Sequence, residues 1–230
     1  MTSGDDRLRV AIAKNVGLHS DHVLTTNGAI GALHLAIFCI CDQGDEVVTV
    51  TPGFPATFDL IQALGAVKIP LNLHFDDGYG IDIESLASLL NERTKLVLLI
   101  SPHNPSGVTI SPDVVTSVLD VMAARSPDAY LLMDETFRQA SYGDHPATQS
   151  SATLSERVLT VSSLSKAHGA PGLRLGWITC TAPQLLAHLK VGKGKTAITG
   201  SILDERLGAH ILEHRGEVPP GRRTTARGWG

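Results

Sequence analysis

Residues 95–134 read KLVLLISPHNPSGVTISPDVVTSVLDVMAARSPDAYLLMD, and the reading of this stretch decides the fold. An apolar run at 95–100 is followed by a turn punctuated with proline and glycine. A segment of helical period at 112–124 and a second apolar run at 129–134 come next. Two short strands joined by a helix form a parallel crossover unit. Ser111 before Pro112 is an N-cap followed by proline at the first helical position, and Asp113 puts a carboxylate in the first turn.

The same alternation extends outward in both directions. Strands are expected at 46–50, 66–71, 158–163 and 175–180, and helices at 28–41, 56–64, 83–90 and 183–190. Gly44 reads as the C-cap that ends the first of these helices. The fold class is therefore α/β, a mostly parallel sheet with helices on its faces. From about His214 the apolar pattern stops, and residues 214–230 read as a disordered tail.

The chain has 230 residues, 43% hydrophobic and 18% charged, with 19 Lys plus Arg against 23 Asp plus Glu. That supports a packed core, and the net charge of −4 leaves no electrostatic footprint for nucleic acid or an anionic membrane. The acidic N-terminus has none of the features of a signal peptide. The longest apolar run, 29–41, is broken by His34 and is too short to span a bilayer. A soluble, cytoplasmic protein is expected. Cys39, Cys41 and Cys180 are too few for a disulfide framework and read as plain buried thiols.

In an α/β sheet, ligands sit beyond the carboxyl ends of the strands, so the residues after each strand carry the chemistry. Ser101-Pro-His-Asn-Pro-Ser-Gly107 is a rigid turn that aims Asn104. The next strand ends in Asp134, a carboxylate that needs a partner if ionised and buried. Val161-Ser-Ser-Leu-Ser-Lys166 puts a lysine at a strand mouth, with Arg174 following in Pro171-Gly-Leu-Arg-Leu-Gly-Trp177. Burial and a neighbouring cation favour a neutral, nucleophilic lysine, and Lys166 is expected to have both.

These residues, with Thr26-Asn-Gly-Ala-Ile-Gly-Ala-Leu33, Asp42-Gln-Gly-Asp-Glu-Val47 and Asp134-Glu-Thr-Phe137, resemble the class I/II aminotransferases in order and spacing. The resemblance runs from about Asp6 to about Glu213. It implies the three-layer, fold-type I large domain and the cofactor pyridoxal 5′-phosphate. It further implies that Lys166 forms the internal aldimine and moves the proton at Cα, and that Asp134 pairs with the protonated ring nitrogen. Asn104 would donate to the phenolic oxygen, and Phe54 would stack on the ring. The amides of Ala29 and Ile30, with Ser163 and Arg174, would hold the phosphate.

The implied reaction is amino-group transfer between an amino acid and a 2-oxo acid, in a homodimer. Two features depart from the family pattern: Phe137 stands where a tyrosine is usual, and Ile30 replaces a hydroxyl residue. Relatives also extend beyond both ends, so residues 1–213 are expected to form the large domain without the small C-terminal one. A lyase or cyclase on the same scaffold, or an inactive truncated remnant, are the alternatives. Gly192-Lys-Gly-Lys-Thr-Ala197 mimics a nucleotide-binding loop but follows a helix, so it is set aside. No histidine pair is read at metal-ligand spacing on a helix face, His103 is read as a loop residue, and no metal site is expected.

Overall fold

The apolar runs at 95–100 and 129–134 become two adjacent interior strands of a sheet. In the computed structural model, which describes residues 2–140 and 149–214, Leu96 to Leu99 and Leu131 to Met133 have no exposed surface. The strands β4 (Thr94–Ile100) and β5 (Tyr130–Asp134) pair in parallel with Leu96 opposite Tyr130 and Ile100 opposite Asp134. Burial on both faces explains why these runs show no polar alternation. The helix between them, α5 (Pro112–Arg125), starts as read: the Ser111 hydroxyl accepts from the Val114 amide at 3.3 Å, and Val115, Val118 and Met122 face the core.

Five further strands complete the sheet: β1 (Val23–Asn27), β2 (Glu46–Thr51), β3 (Val67–Asn72), β6 (Val158–Ser163) and β7 (Leu175–Cys180). Their spatial order is β1-β7-β6-β5-β4-β2-β3, and all run parallel except β7, which is antiparallel to both neighbours. The reversal follows from the short link at 164–174, which holds no α-helix and cannot carry the chain back across the sheet. The remaining helices are α1 (Asp6–Val16), α2 (Gly28–Ile40), α3 (Pro55–Ala63), α4 (Ile83–Leu89), α6 (Pro183–Thr196) and α7 (Ile202–Glu213).

Alternate residues of β1 and β7 separate the layers. Val23, Leu175 and Trp177 pack with Leu8, Ile12, Ala209 and Leu212 of α1 and α7, whereas Leu24, Ile178 and Cys180 join the core with α2 and α6. The sheet thus lies between two helical layers, as the α/β reading requires.

Three readings change. Strand β1 and helix α1 were not anticipated, because Val23-Leu-Thr-Thr-Asn27 is short and half polar and becomes a strand by pairing with β7. Gly44 is not the C-cap of α2; that helix ends at Ile40, and Gly44 lies in the turn before β2 with a φ of 89°. Cys39 and Cys41 are half-buried, and only Cys180 is fully buried; all three are free thiols. The tail expected at 214–230 lies outside the described residues from 215 onward. Among the described residues, no helix is long and apolar enough to cross a membrane.

Candidate active site

The parallel strands β1, β2, β4, β5 and β6 all exit at one edge of the sheet, and the reversed β7 begins there, which brings Arg174 to the same edge. Asp134 closes β5 and is 8% exposed. One of its oxygens, Oδ1, accepts from the Thr136 amide at 2.9 Å, and it forms no ion pair among the described residues. Burial pushes its carboxyl above the usual range, and hydrogen bonding from Thr136 opposes the shift only in part. The adjacent Glu135 is served differently: Arg138 Nε lies 3.0 Å away, and Ser150 Oγ and the Ser151 amide donate at 2.8 and 2.7 Å. Among the described residues, Asp134 is the deeply buried carboxylate at the strand mouth with no cation beside it.

Lys166 follows β6 by three residues and is exposed, with Nζ 5.8 Å from the centroid of the half-buried Phe137 ring. This corrects the expectation of burial: the lysine stands in solvent beside the ring. Arg174 is also exposed, in a left-handed conformation with φ 50°. Its guanidinium donates to Ser165 Oγ at 3.3 Å and to the Pro171 carbonyl at 3.0 Å. The other terminal nitrogen lies against Gly28, where a β-carbon would stand 2.6 Å from it.

Gly28 opens α2 with φ +71°, and the preceding N-cap residue Asn27 makes no side-chain cap. The first-turn amides, those of Ala29 and Ile30 among them, therefore have no intrahelical acceptor and no capping oxygen. Ser163 is buried beside Gly176 in register, and its hydroxyl accepts from the Ser165 amide at 3.3 Å. The corner gathers a guanidinium, two serines and a helix N-terminus.

Across the edge, Phe54 is the N-cap residue of α3 and is 40% exposed, so it is not part of the core. Asn104 is half-buried in the turn after β4. No hydrogen bond joins Phe54, Asn104, Asp134 and Lys166 to one another among the described residues. His103 is more than a loop residue: it is 5% exposed and hydrogen-bonded through both ring nitrogens.

Other features were hidden in the sequence. The glycine-rich stretch 192–197 forms the last turn of α6, which runs to Thr196 with Ala197 as its C-cap, beyond the expected end at 190. Lys193 within it is 2% exposed and donates to Thr25 Oγ1 at 3.2 Å, while Thr25 donates to Glu205 at 2.7 Å. Burial pulls the Lys193 ammonium down to about 8 against the pull of Glu205. His210 in the last turn of α7 packs against His214, the residue that caps the helix, with ring centroids at 4.1 Å. His214 Nδ1 donates to the His210 carbonyl at 2.9 Å.

The donor set fits a particular kind of ligand. Arg174, the serines and the uncapped amides of α2 suit a dianionic phosphate, and no β-carbon at Gly28 blocks the approach. The buried, unpaired Asp134 suits a protonated ring nitrogen. Lys166 supplies an amine at the same edge.

Residues 1–216 match the family model described as aminotransferase class I and II. The chain is 38% identical over 226 residues to the capreomycidine synthase of Streptomyces vinaceus, covering 97% of this chain and 57% of that protein. A PLP-dependent aminotransferase from Streptococcus suis superposes with a TM-score of 0.85 at 25% identity, over 94% of this chain and 56% of the other. The PLP-dependent cyclase OrfR superposes with a TM-score of 0.83 at 27% identity, over 99% and 59%. The chain thus spans little more than half the length of these relatives.

Proposed function

The chain belongs to the aminotransferase class I and II family, and from that premise we propose that it binds pyridoxal 5′-phosphate and serves amino-group transfer between an amino acid and a 2-oxo acid. We assign residues 1–213 to the large, cofactor-binding domain. The activity of the whole protein, a cytoplasmic location and a homodimer are parts of the same proposal. Ile198, Ile202, Leu203 and Leu207, exposed at the start of α7 and just before it, give apolar surface for such an association.

One observation carries the reading: an amine, a buried carboxylate without a cation and an arginine-backed helix N-terminus converge on one sheet edge. Bound pyridoxal phosphate supplies an aldehyde and a ring that withdraws electrons from a carbanion at the substrate's Cα. Arg174, Ser163, Ser165 and the amides of Ala29 and Ile30 hold the phosphate. Asp134 keeps a proton on the ring nitrogen by charge pairing, which also relieves its own unpaired burial. Lys166 would hold the aldehyde and would move the proton at Cα. Asn104 would donate to the phenolic oxygen, and Phe54 would stack on the ring.

A second reading, cyclisation on the same scaffold, is favoured by the 38% identity to capreomycidine synthase and the likeness to a cyclase. Phe137 adds to it, because a phenyl ring gives the phenolic oxygen no donor.

The purified chain mixed with pyridoxal phosphate is expected to absorb at the edge of the visible range, and borohydride is expected to fix the pyridoxyl label on Lys166. Lys166→Ala should lose both. Absence of the label, or its attachment to another lysine, overturns the reading. Product analysis over a panel of amino acids then separates the reactions: a cyclic product formed without consumption of a 2-oxo acid supports cyclisation.

A further inference from the structure

His103 sits between the two loops that carry Asn104 and Phe54. Its ring Nε2 lies 2.9 Å from the Pro52 carbonyl, two residues before Phe54, and Nδ1 lies 2.7 Å from Ser106 Oγ. A carbonyl only accepts, so Nε2 carries the hydrogen; in the neutral ring, Nδ1 then accepts from the Ser106 hydroxyl. Ser106 Oγ in turn accepts from the Val108 amide at 3.3 Å. The main chain of His103 closes the same turn, its amide donating to the Val108 carbonyl at 2.8 Å and its carbonyl accepting from the Gly107 amide at 2.6 Å. Tyr79 lies beside the ring, with centroids 6.1 Å apart.

The side chain therefore ties the turn after β4 to the turn after β2. At 5% exposure water offers its nitrogens little competition, so both bonds hold the ring in place. Asn104 is the next residue in the chain, and Phe54 is anchored two residues beyond the Pro52 carbonyl. We propose that His103 is a positioning residue that sets the separation of Asn104 and Phe54, and with it the fit of the pocket to the pyridoxal ring. This rests on the cofactor assignment above.

The bond to Pro52 is the one that spans the two loops, and it can be tested apart from the bond to Ser106. A glutamine amide reaches about as far as Nε2, and an asparagine amide about as far as Nδ1. His103→Gln is therefore expected to keep the dissociation constant for pyridoxal phosphate within about twofold of wild type. His103→Asn and His103→Ala are expected to weaken it about tenfold, the scale of one lost hydrogen bond. The loss in His103→Ala should nearly vanish in a Phe54→Ala background, because a tether acts only through what it positions.

Equal affinities for the Gln and Asn variants, or losses that add fully with Phe54→Ala, overturn the proposal. Nitrogen-15 shifts of the wild-type imidazole provide a measurement that needs no variant to fold: the hydrogen is expected on Nε2, and a hydrogen on Nδ1 alone overturns the tether. Should the wild-type chain bind no pyridoxal phosphate, the cofactor assignment fails, while the tautomer still decides whether the two loops are joined as described.

Discussion

Asp134 is held where its charge is unfavourable, which is how a residue placed for a ligand differs from one placed for stability. Burial raises its carboxyl above the unfolded value of 3.8, so the folded chain binds a proton in a range where the unfolded chain does not. The stability this group contributes is therefore present below that range and is lost as pH rises through the raised, folded value. Asp134→Asn is expected to raise the melting temperature of the ligand-free chain at neutral pH by about 2–4 °C, the response to about 1 kcal/mol in a domain of this size. Thermal scans from acid to neutral pH should show the gain fading toward acid. The same substitution should weaken pyridoxal phosphate binding about 10- to 100-fold, as for a lost charge-assisted hydrogen bond. A lower melting point together with unchanged affinity would contradict both expectations. The types and order of Lys166, Asp134, Asn104 and Arg174 were readable in the sequence; the isolation of Asp134 from any cation was not, since it depends on what packs around β5.

At the scale of elements, the N-terminus of α2 stands where it does because β7 offers no side chain beneath it. A β-carbon at Gly176 would lie 2.3 Å from the Gly28 carbonyl carbon and 2.6 Å from the Ala29 nitrogen, both backbone atoms. Gly176→Ala is therefore expected to push the first turn of α2 away from the sheet. It should cost about 1–3 kcal/mol of stability and weaken phosphate binding along with it. Gly172→Ala, where nothing lies within 4 Å, is the matched control and should leave denaturation midpoints unchanged. Elements with strong local signals were readable: α5 through Ser111, Pro112 and Asp113, and β4 and β5 through their apolar runs. By contrast, β1 and the reversed direction of β7 were set by each other and by the short link after β6, a partnership that no local pattern records.

For the whole molecule, Lys193, Thr25, Glu205 and the Asp5 amide join α6, β1, α7 and the N-terminal segment in one buried network. With the Lys193 pKa near 8 when folded against 10.5 unfolded, the unfolded chain binds more protons between these values. The contribution of Lys193 to stability therefore rises with pH across that window. Cys41 and Cys180, pushed up to about 12 and about 11 by burial, act in the opposite direction from about pH 9. Urea denaturation of wild type and Lys193→Met isolates the lysine: the wild type should gain on the variant as pH goes from about 7 to about 10. A difference that stays flat would mean that Lys193 keeps its charge when folded. By itself the sequence determined the α/β class and the succession of most strands and helices, because hydrophobic period, caps and turn residues act over a few positions; through its resemblance to a family it also ordered the residues proposed to meet a phosphate and a ring. Only the tertiary structure decided that Lys166 lies open, that His103 joins two loops, and that Lys193 is buried beside Glu205. Each of those depends on which distant segments exclude water from a side chain, and chain neighbours carry no record of that.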